Sequence, residues 1–236
     1  MIKGYGAINV HPSSLPDLRG AAPLHWALIY GSKYTGVTVQ TLHPSKFDHG
    51  QILLQRNGIE IPEQGQCTVE TLRDNLAPIG GELLLQTLRE RRYITLPRVE
   101  IPEELQERIR RGELRKAPKI RKEHMRIRWD KWSAEYVVMR LRVLGSLWDD
   151  CTWRMLSPSS GCKRIRYHEF QQATNIEVPK GEAGRPFLHN KRLFIKTVMF
   201  GNKIPALEVL SCTIEGGKQG TGVQTLIAEL KKAVKV

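Results

Sequence analysis

The stretch GAINVHPSSLP, residues 6–16, decides the fold of the first part of the chain. Ala7 to Val10 is a short apolar run that predicts a buried strand end, and the proline-containing residues after it predict a loop. Asn9 and His11 lie two residues apart, so their side chains leave the same face of the sheet. Open α/β sheets bind ligands beyond the carboxyl ends of their strands, so this pair marks a candidate site.

The residues that follow alternate between helix and strand patterns. A helix is predicted to begin at Pro23, because proline fits a first helical turn. Strands are predicted over 36–42 and 52–55, and a long helix over 69–92. Pro78 and the Gly80-Gly81 pair are expected to bend or break that helix. The alternation predicts an α/β fold with too few strands for a complete doubly wound parallel sheet.

The second half of the chain has a pattern of short strands between helices. Ser133 can cap a helix that carries Val137 and Leu141 on one face, and Thr221 begins an amphipathic terminal helix that runs to Val234. Strands are predicted over Cys151–Leu156, Lys163–Gln172, Arg192–Val198 and Leu207–Thr213. This order favours a small all-β, OB-like barrel with flanking helices. The predicted organisation is a first domain over 1–97, a basic linker over 98–122 and a barrel domain over 123–236.

The net charge of +13 is unevenly distributed. Residues 1–97 hold nine Lys/Arg against eight Asp/Glu, whereas residues 98–236 hold 28 against 16. The excess peaks between Arg108 and Arg128, where ten basic residues face two acidic ones. Such a basic half indicates one of two things. It binds a polyanion, for which nucleic acid is the first candidate, or it contains a solvated linker whose charge only aids solubility.

Other bulk features narrow the class of protein. No two of the four cysteines are spaced as C-x-x-C, which argues against a zinc ribbon or a disulfide framework and favours isolated buried thiols in a reducing compartment. No apolar run approaches the ~20 residues that cross a bilayer. The first residues contain neither an apolar signal core nor an Arg/Ser-rich presequence pattern.

The densest cluster of reactive side chains precedes residue 50. An amide beside an imidazole suits acyl transfer, because the amide of Asn9 can stabilise a tetrahedral oxyanion and His11 can move a proton. Asp48, in a loop between two predicted strands, could orient the imidazole and raise its pKa, or accept the proton of an attacking amine. A metal site made of His11, His43, Asp48 and His49 is an alternative, but the spacing matches no common ligand pattern.

Several motifs in order resemble the folate-dependent formyltransferases. They are residues 6–16, RGAAP at 19–23, TGVT at 35–38 and FDHGQIL at 47–53. The resemblance implies that Asn9, His11 and Asp48 form a catalytic trio. It further implies substrate contacts from Ser13, Leu15, Pro16, Arg19, Gly20, Gly36 and Gly50. The RGAAP form is similar to the branch of the family that acts on methionyl-tRNA, more than to the purine-synthesis branch.

The resemblance continues beyond the basic segment. KEHMRIRW at 122–129 and the following helix are similar to the start of the family's C-terminal domain, and EGGKQG at 215–220 to its basic closing loop. The resemblance implies that this domain binds tRNA. Nucleic-acid contacts are expected from Arg110, Arg111, Lys116, Lys119, Arg121, Lys122 and Lys218. Trp129, Trp132, Trp148 and Trp153 could stack on bases, but such spacing is more typical of a core.

The chain departs from the family pattern in three places. Family members begin with a further half-sheet, about a hundred residues by analogy with doubly wound folds, so we expect an N-terminally truncated chain with Met1 as an internal start. Ser14 stands where the family has Leu. His49 follows Asp48 in place of a small residue, a variant that, with GIEIP at 58–62, resembles mitochondrial members from fungi.

The expected activity is formyl transfer from 10-formyltetrahydrofolate to the α-amine of initiator methionyl-tRNA, without a metal. The expected protein is a monomer of the mitochondrial matrix that does not associate with membranes, with the bacterial cytoplasm as the alternative compartment. Two other functions remain open. One is a catalytically inactive, truncated tRNA-binding remnant, and the other is a folate-dependent formyltransferase that acts on a nucleotide or sugar amine.

Overall fold

The chain forms two compact units, Met1–Ile120 and Arg121–Val236. The computed structural model describes residues 6–62, 65–157, 161–173, 176–198 and 206–233. Within these ranges, no helix is long and apolar enough to cross a membrane. Cys67, Cys151, Cys162 and Cys212 are all free thiols, and the first and last of them are buried.

The first unit combines a sheet with helices packed on it. Its strands are β1 (Ile8–His11), β2 (Tyr34–Thr41) and β3 (Ile52–Glu60). Its helices are α1 (Pro23–Ile29), α2 (Val69–Arg89), α3 (Arg92–Thr95) and α4 (Glu103–Arg110). The strands predicted over 36–42 and 52–55 and the helix predicted from Pro23 are therefore confirmed.

The described strands of this unit pair in the order β1-β2-β3, and both pairs are antiparallel. The doubly wound parallel arrangement that the α/β pattern predicts is not formed by these strands. The loop after His11 explains the β1–β2 pairing, because it turns the chain back so that α1 does not act as a crossover helix between parallel strands. Val37, Val39 and Leu53 are buried in the centre of the sheet.

Helix α2 covers one face of this sheet and is continuous from Val69 to Arg89, so the predicted break is wrong, while a bend at Pro78 stays a prediction. Thr68 caps it by accepting a hydrogen bond from the Thr71 backbone amide, and Leu72, Leu76 and Leu83 form its buried face. Pro78 removes one hydrogen bond without ending the helix. The missing side chain of Gly80 lets the helix approach β1, because a Cβ there would lie 3.0 Å from a methyl of Val10.

The segment predicted as a basic linker is part of the first unit as far as Ile120. It contains α4, which sequence patterning missed, and a parallel bridge between Lys116 and Arg19. Backbone hydrogen bonds join Ala117 to Arg19 and to Ala22 on the loop that precedes α1. The sequence pattern does not predict these contacts, because a run of Arg and Lys is also typical of a solvated linker.

The second unit is built around a larger sheet. Its strands are β4 (Leu147–Asp149), β5 (Ile165–Ala173), β6 (Pro186–His189), β7 (Arg192–Lys196) and β8 (Ala206–Ile214). Its helices are α5 (Ala134–Leu144), α6 (Cys151–Leu156) and α7 (Gly222–Ala233), with a 3₁₀ turn over Lys122–Met125. The strands predicted over 163–172, 192–198 and 207–213 and both flanking helices are confirmed, while Val234 lies outside the described residues.

The described strands of this unit form an open sheet with the order β4-β5-β8-β7-β6, so the closed OB-like barrel that we predicted is not formed by them. The strand predicted over Cys151–Leu156 is instead the helix α6. Its first turn is fixed by Asp149, whose carboxylate accepts hydrogen bonds from the backbone amide and the hydroxyl of Thr152. This local capping outweighs the β propensity of the segment.

The core of the second unit lies between its sheet and helices α5, α6 and α7. Trp129 and Trp153 are almost fully buried in it, which confirms the core role predicted for them, and Trp132 packs against it. Trp148 is only half buried, on β4. Ser133 caps α5 as predicted, by accepting a hydrogen bond from the Tyr136 backbone amide.

Candidate active site

Strand β1 places Asn9 and His11 on one face of the first sheet. They pair with Gln40 and Thr38 of β2, two residues apart in register. Asn9 is half buried, and the described residues form no hydrogen bond with its side-chain amide. His11 is only 4% exposed. The strand therefore presents one free amide and one enclosed imidazole side by side.

The two ring nitrogens of His11 have different partners. Nε2 lies 3.0 Å from the carbonyl oxygen of Leu18, which can only accept, so Nε2 carries the hydrogen. Nδ1 lies 3.4 Å from Oδ1 of Asp48. Asp48 comes from the loop between β2 and β3, so the two segments that carry the predicted trio meet here. With Nε2 held by a backbone carbonyl, Nδ1 is the atom that exchanges a proton with the carboxylate.

Burial lowers the pKa of His11 below its ordinary value of 6.5, although the charge of Asp48 and the hydrogen bond to Leu18 act in the opposite direction. Asp48 acts in the direction that we expected, but burial outweighs it, so the pKa of His11 is lowered and the protein does not keep the imidazole charged. The physical reason is that the strand and its loops remove water from the imidazole. His11 is therefore neutral at pH 7 and is prepared to accept a proton.

Asp48 is held by three hydrogen bonds, two to its carboxylate and one to its backbone carbonyl. Gly20 donates its backbone amide to Oδ2 at 2.9 Å, and Gln40 donates its side-chain amide to Oδ1 at 3.0 Å. Arg19 donates from Nε to the backbone carbonyl of Asp48 at 2.7 Å. Asp48 adopts a left-handed backbone with φ of 56°. These contacts fix the carboxylate against the imidazole before any ligand binds.

Gln40 is a residue that the sequence analysis missed. It is 1% exposed on β2, opposite Asn9, and its amide bonds to Asp48. The described residues leave its Oε1 without a hydrogen-bond partner. A buried amide within a β-branched strand is a signal that the sequence did contain, because an amide there needs partners.

The loop after His11 is fixed by a small hydrogen-bond network. Ser13 donates its hydroxyl to the carbonyl of Asp17 at 2.8 Å, and its own carbonyl accepts from Thr38 at 2.7 Å. Gln55 donates to the carbonyl of Leu15 at 2.9 Å, and the bond from Leu15 to Pro16 is cis. Ser13 and Leu15 are buried. Both side chains therefore help to hold the loop, and a direct contact with substrate stays a prediction for Ser13, Leu15, Pro16, Arg19 and the glycines.

The three glycines predicted to contact substrate also allow close backbone approaches. A Cβ on Gly20 would lie 2.3 Å from the carbonyl oxygen of Ala117, and its φ is +130°. A Cβ on Gly36 would lie 2.2 Å from the Ser14 hydroxyl. A Cβ on Gly50 would lie 1.6 Å from the carbonyl oxygen of Thr41. Any side chain at these positions would displace the backbone around Asp48 and His11.

Asp17 is a second residue that sequence patterning missed. It is 4% exposed and accepts charge-assisted hydrogen bonds from the guanidinium groups of Arg108, at 2.8 and 3.0 Å, and Arg115, at 2.6 and 3.1 Å. Burial raises its pKa, but these hydrogen bonds outweigh burial and leave the pKa of Asp17 below its ordinary value. The pairs fasten the predicted linker to the loop that carries Arg19.

The residues expected to bind nucleic acid differ in their surroundings. Arg110 bonds to Glu103 and Glu107, and Arg111 bonds to Glu107, all on the surface of α4. The remaining predicted contacts have exposed side chains: Lys116, Lys119, Arg121, Lys122 and Lys218. The two arginines must therefore give up partners before they bind a phosphate, while the exposed residues need not.

The metal alternative is not supported by the described residues, which contain no group of three His, Cys, Asp or Glu side chains placed to hold a metal ion. The rings of His43 and His49 lie 6.5 Å apart, edge to face. Nδ1 of His43 accepts hydrogen bonds from the backbone amides of Ser45 and Lys46, so that nitrogen is already engaged. These two histidines shape the loop that carries Asp48.

The segment that holds Asn9, His11 and Asp48 is similar in sequence to a known protein family. Residues 2–88 match the profile of the formyl transferase family, and this segment belongs to that family. Within the family, the chain is similar to methionyl-tRNA formyltransferases. It is 35% identical to the mitochondrial enzyme of Saccharomyces cerevisiae over 195 residues, which are 74% of this chain and 47% of that protein.

A second sequence relative and one solved structure give further comparisons. The methionyl-tRNA formyltransferase of Thermodesulfovibrio yellowstonii is 38% identical over 130 residues, 55% of this chain and 38% of that one. The crystal structure of an N-formyltransferase from Helicobacter canadensis, in complex with folinic acid and dTDP-3-aminofucose, has a TM-score of 0.51 at 14% identity and covers 85% of this chain and 65% of that one. The latter shows the fold alone. The chain spans about half the length of the yeast protein.

Proposed function

We propose that this chain transfers a formyl group from 10-formyltetrahydrofolate to the α-amine of methionyl-tRNA, in preparation for translation initiation. The observation that carries the proposal is the meeting of Asn9, His11 and Asp48 at one end of the first sheet, in a chain similar to methionyl-tRNA formyltransferases. The basic second half, which holds 28 Lys/Arg against 16 Asp/Glu from residue 98 onward, supports tRNA as the amine carrier.

The donor supplies an activated formyl carbon, which the amine attacks. Asn9 donates its free amide to the formyl oxygen as that oxygen gains negative charge. Asp48, whose side chain is 11% exposed, accepts the proton that the amine loses. Nδ1 of His11, 3.4 Å away and neutral, shares this proton and returns it to the leaving nitrogen. One carbon–nitrogen bond forms, one breaks, and the proton passes from amine to leaving group.

The arrangement supports a folate donor and needs no metal for these steps. Gly20 and Gly50 keep the backbone beside Asp48 free of side chains, and Arg19 lies next to them with a guanidinium that is only partly engaged. A planar ring system with a glutamate tail offers hydrogen bonds and negative charge to such groups. The substrate contacts predicted for Pro16, Arg19, Gly20, Gly36 and Gly50 are part of this proposal.

The experiment is formyl transfer by the purified full chain, with 10-formyltetrahydrofolate and methionyl-tRNA and with thermal unfolding as a fold check. We expect formylmethionyl-tRNA to form, and Asp48→Asn to reduce turnover by about 100-fold or more. Lys46→Gln is the matched control, because it changes an exposed side chain of the same loop and should retain turnover. Loss of turnover in both variants, with both folded, would contradict the assigned role of Asp48.

The second candidate is a tRNA-binding chain without turnover. It is supported by the basic second half, which holds 28 Lys/Arg against 16 Asp/Glu from residue 98 onward and needs no catalysis to bind a polyanion. A folded chain that binds methionyl-tRNA and never formylates it would establish this candidate. Formylation of a nucleotide or sugar amine, with no binding to tRNA at low salt, would instead establish a formyltransferase of another branch.

The cellular setting is part of the proposal. Similarity to a mitochondrial yeast enzyme supports the mitochondrial matrix, while the bacterial relatives support a bacterial cytoplasm as the alternative. We propose a monomer that does not associate with membranes. Fractionation of the source cells and light scattering of the purified chain test these two statements.

A further inference from the structure

A row of basic side chains lies on the outward face of β5 in the second unit. Arg164, Arg166 and His168 alternate along the chain with Ile165 and Tyr167, which are fully buried in the core. Because successive side chains of a strand point to opposite faces, the first three share the solvent face at a spacing of roughly 6.6 Å. This alternation of basic and apolar residues is visible in the sequence, but it is not a continuous run of charge and so does not stand out as a basic segment.

The neighbouring strands complete a recess around this row. Arg166 pairs in register with Trp148 of β4 on one side and with Thr213 of β8 on the other. The His168 ring Nε2 and the Thr213 hydroxyl lie 2.9 Å apart. The recess has a volume of about 380 Å³. It is also lined by Lys122, Met125, Ile214, Glu215, Gly216, Gly217 and Gln219.

Trp148 positions one of the two guanidinium groups. The guanidinium carbon of Arg164 lies 5.4 Å from the centre of the indole ring, in cation–π contact. The indole N–H donates to the carbonyl of Lys122 at 2.9 Å, which fixes the ring at the edge of the recess. This tryptophan is half buried, unlike Trp129 and Trp153 in the core, and the guanidinium carbon of Arg126 also lies 5.5 Å from the centre of its ring.

The charge of the recess is not neutralised by its own carboxylate. Within the described residues, no ion pair joins the guanidinium of Arg164 or Arg166 to an acidic side chain. Glu215 lines the recess and its carboxylate accepts a hydrogen bond from the backbone amide of Arg164 at 3.1 Å, so one negative charge lies beside the positive charges of Arg164, Arg166 and Lys122. Arg110 and Arg111, by contrast, are engaged by glutamates on α4. The recess therefore keeps two unpaired guanidinium groups beside an imidazole.

We infer that this recess binds a backbone phosphate of the tRNA, with Arg164 and Arg166 as its principal ligands, Lys122 and His168 beside them and Trp148 as a positioning residue. The inference rests on the proposed function for the identity of the polyanion. Guanidinium groups match the oxygens of a phosphate with two hydrogen bonds each. A recessed cationic row with a single aromatic ring suits a nucleic-acid backbone, because membrane binding also needs an exposed apolar anchor.

The test is binding of the full chain to fluorescently labelled initiator methionyl-tRNA across a range of salt concentrations. We expect Arg164→Gln with Arg166→Gln to weaken binding by about tenfold and to reduce the slope of log K against log salt by about 1 to 2. Lys191→Gln with Lys231→Gln removes the same charge away from the recess, on the β6–β7 turn and on α7. This control pair should change the dissociation constant by less than about twofold.

A second variant tests the recess without changing its charge. Trp148→Leu removes the ring under Arg164, and we expect several-fold weaker tRNA binding that Trp148→Phe largely restores. Equal losses for the recess pair and the control pair, or no loss for the recess pair, would overturn the inference. Binding of the wild type to anionic phospholipid vesicles that depends on Arg164 and Arg166 as strongly as tRNA binding does would also overturn it.

The result of this binding test can be distinguished from the result of the formylation assay that tests the proposed function. A chain that formylates methionyl-tRNA while the recess pair binds tRNA as tightly as the wild type refutes the recess alone. A chain that never formylates, but whose tRNA binding depends on Arg164 and Arg166, refutes the enzymatic proposal alone.

Discussion

At the scale of single residues, the site depends on the surroundings of one imidazole, that of His11. His11 has an ordinary side chain, yet its surroundings lower its pKa because the protein removes water from it. Its Nε2 is occupied by the carbonyl of Leu18, which leaves Nδ1 to face Asp48. The two carboxylate oxygens of Asp48 are held by Gly20 and Gln40. The direction of proton transfer is therefore set by backbone contacts as much as by the trio.

This treatment of His11 predicts a specific pH dependence. Because its pKa is lowered, the neutral form persists below the ordinary value of 6.5, and turnover should fall only when the pH drops through the lower value. Asp48→Asn removes the charge that opposes burial, so it should lower the pKa of His11 further. NMR titration of the imidazole, assigned with His11→Gln, measures both values. A pKa above 6.5 in the wild type would contradict this account.

Sequence reasoning found Asn9, His11 and Asp48 because their residue types and motif context are local features. It missed Gln40 and Asp17, whose roles depend on which residues lie opposite them. It also predicted substrate contacts from Ser13 and Leu15, which stay predictions, and the structure adds that both are buried in the loop network. The motif cannot separate residues that touch a ligand from residues that hold the loop, because both are needed in the same stretch.

At the scale of elements, the segment after α4 behaves as a strap on the first unit. Arg115 bonds to Asp17 through both its backbone amide, at 2.8 Å, and its guanidinium, and Arg108 bonds to the same carboxylate. Ala117 continues the contact through backbone hydrogen bonds to the Arg19–Ala22 loop. Arg19 and Gly20 in that loop hold Asp48. The strap thus stabilises the loop whose Arg19 and Gly20 hold Asp48.

Asp17→Asn should destabilise the first unit by about 3 kcal/mol, because it leaves two guanidinium groups without their buried anion. The pKa of Asp17 is lowered in the folded chain, so its contribution to stability is complete above its ordinary value of 3.8 and is lost as the pH falls through the lower folded value. Urea unfolding at pH 7 and in acid should show a difference that disappears in acid.

Asp74→Asn provides the control for this measurement. Asp74 pairs with Arg73 on the exposed side of α2, and both side chains are more than half exposed. Its loss should cost less than about 0.5 kcal/mol at pH 7. A destabilisation of similar size in both variants would mean that the strap does not depend on the Asp17 carboxylate.

Element boundaries were predictable where local signals agreed. Ser133 caps α5 and the β-branched run forms β2, as the sequence indicates. The apolar and aromatic residues 151–156 favour a strand, but Asp149, just before the N-cap Asp150, accepts hydrogen bonds from Thr152 and so stabilises the first turn of α6. Helix α2 continues through Pro78 because its apolar face is packed on the sheet. Tertiary packing and capping outweighed intrinsic propensity in both cases.

At the scale of the whole molecule, the charge of +13 is the main physical property. It should make tRNA binding steeply dependent on salt. Sequence reasoning placed the relevant charge between Arg108 and Arg128. In the structure, several of these residues are already in ion pairs. Arg108 and Arg115 pair with Asp17. Arg110 and Arg111 pair with glutamates of α4. The charge available to a polyanion is smaller there than the sequence count indicates.

Two matched double substitutions test this distinction. Lys116→Gln with Arg121→Gln should weaken tRNA binding and flatten its salt dependence, because both side chains are exposed and free of glutamates on α4. Arg110→Gln with Arg111→Gln removes the same charge but releases Glu103 and Glu107 from ion pairs. It should have a smaller effect on the salt slope. The opposite order of effects, measured by titration at several salt concentrations, would contradict the structural assignment.

The sequence by itself determined the α/β and β-rich halves, the main helices, the family of the first segment and the three candidate catalytic side chains. These follow from periodicity, capping and motif spacing, which are properties of neighbours along the chain. Only the tertiary structure decided that the first sheet is antiparallel among its described strands, that burial keeps His11 neutral and that Asp17 ties the basic segment to the site. It alone brought Arg164 and Arg166 beside Trp148. Desolvation, register and ion pairing depend on residues distant in sequence, so no local pattern contains them.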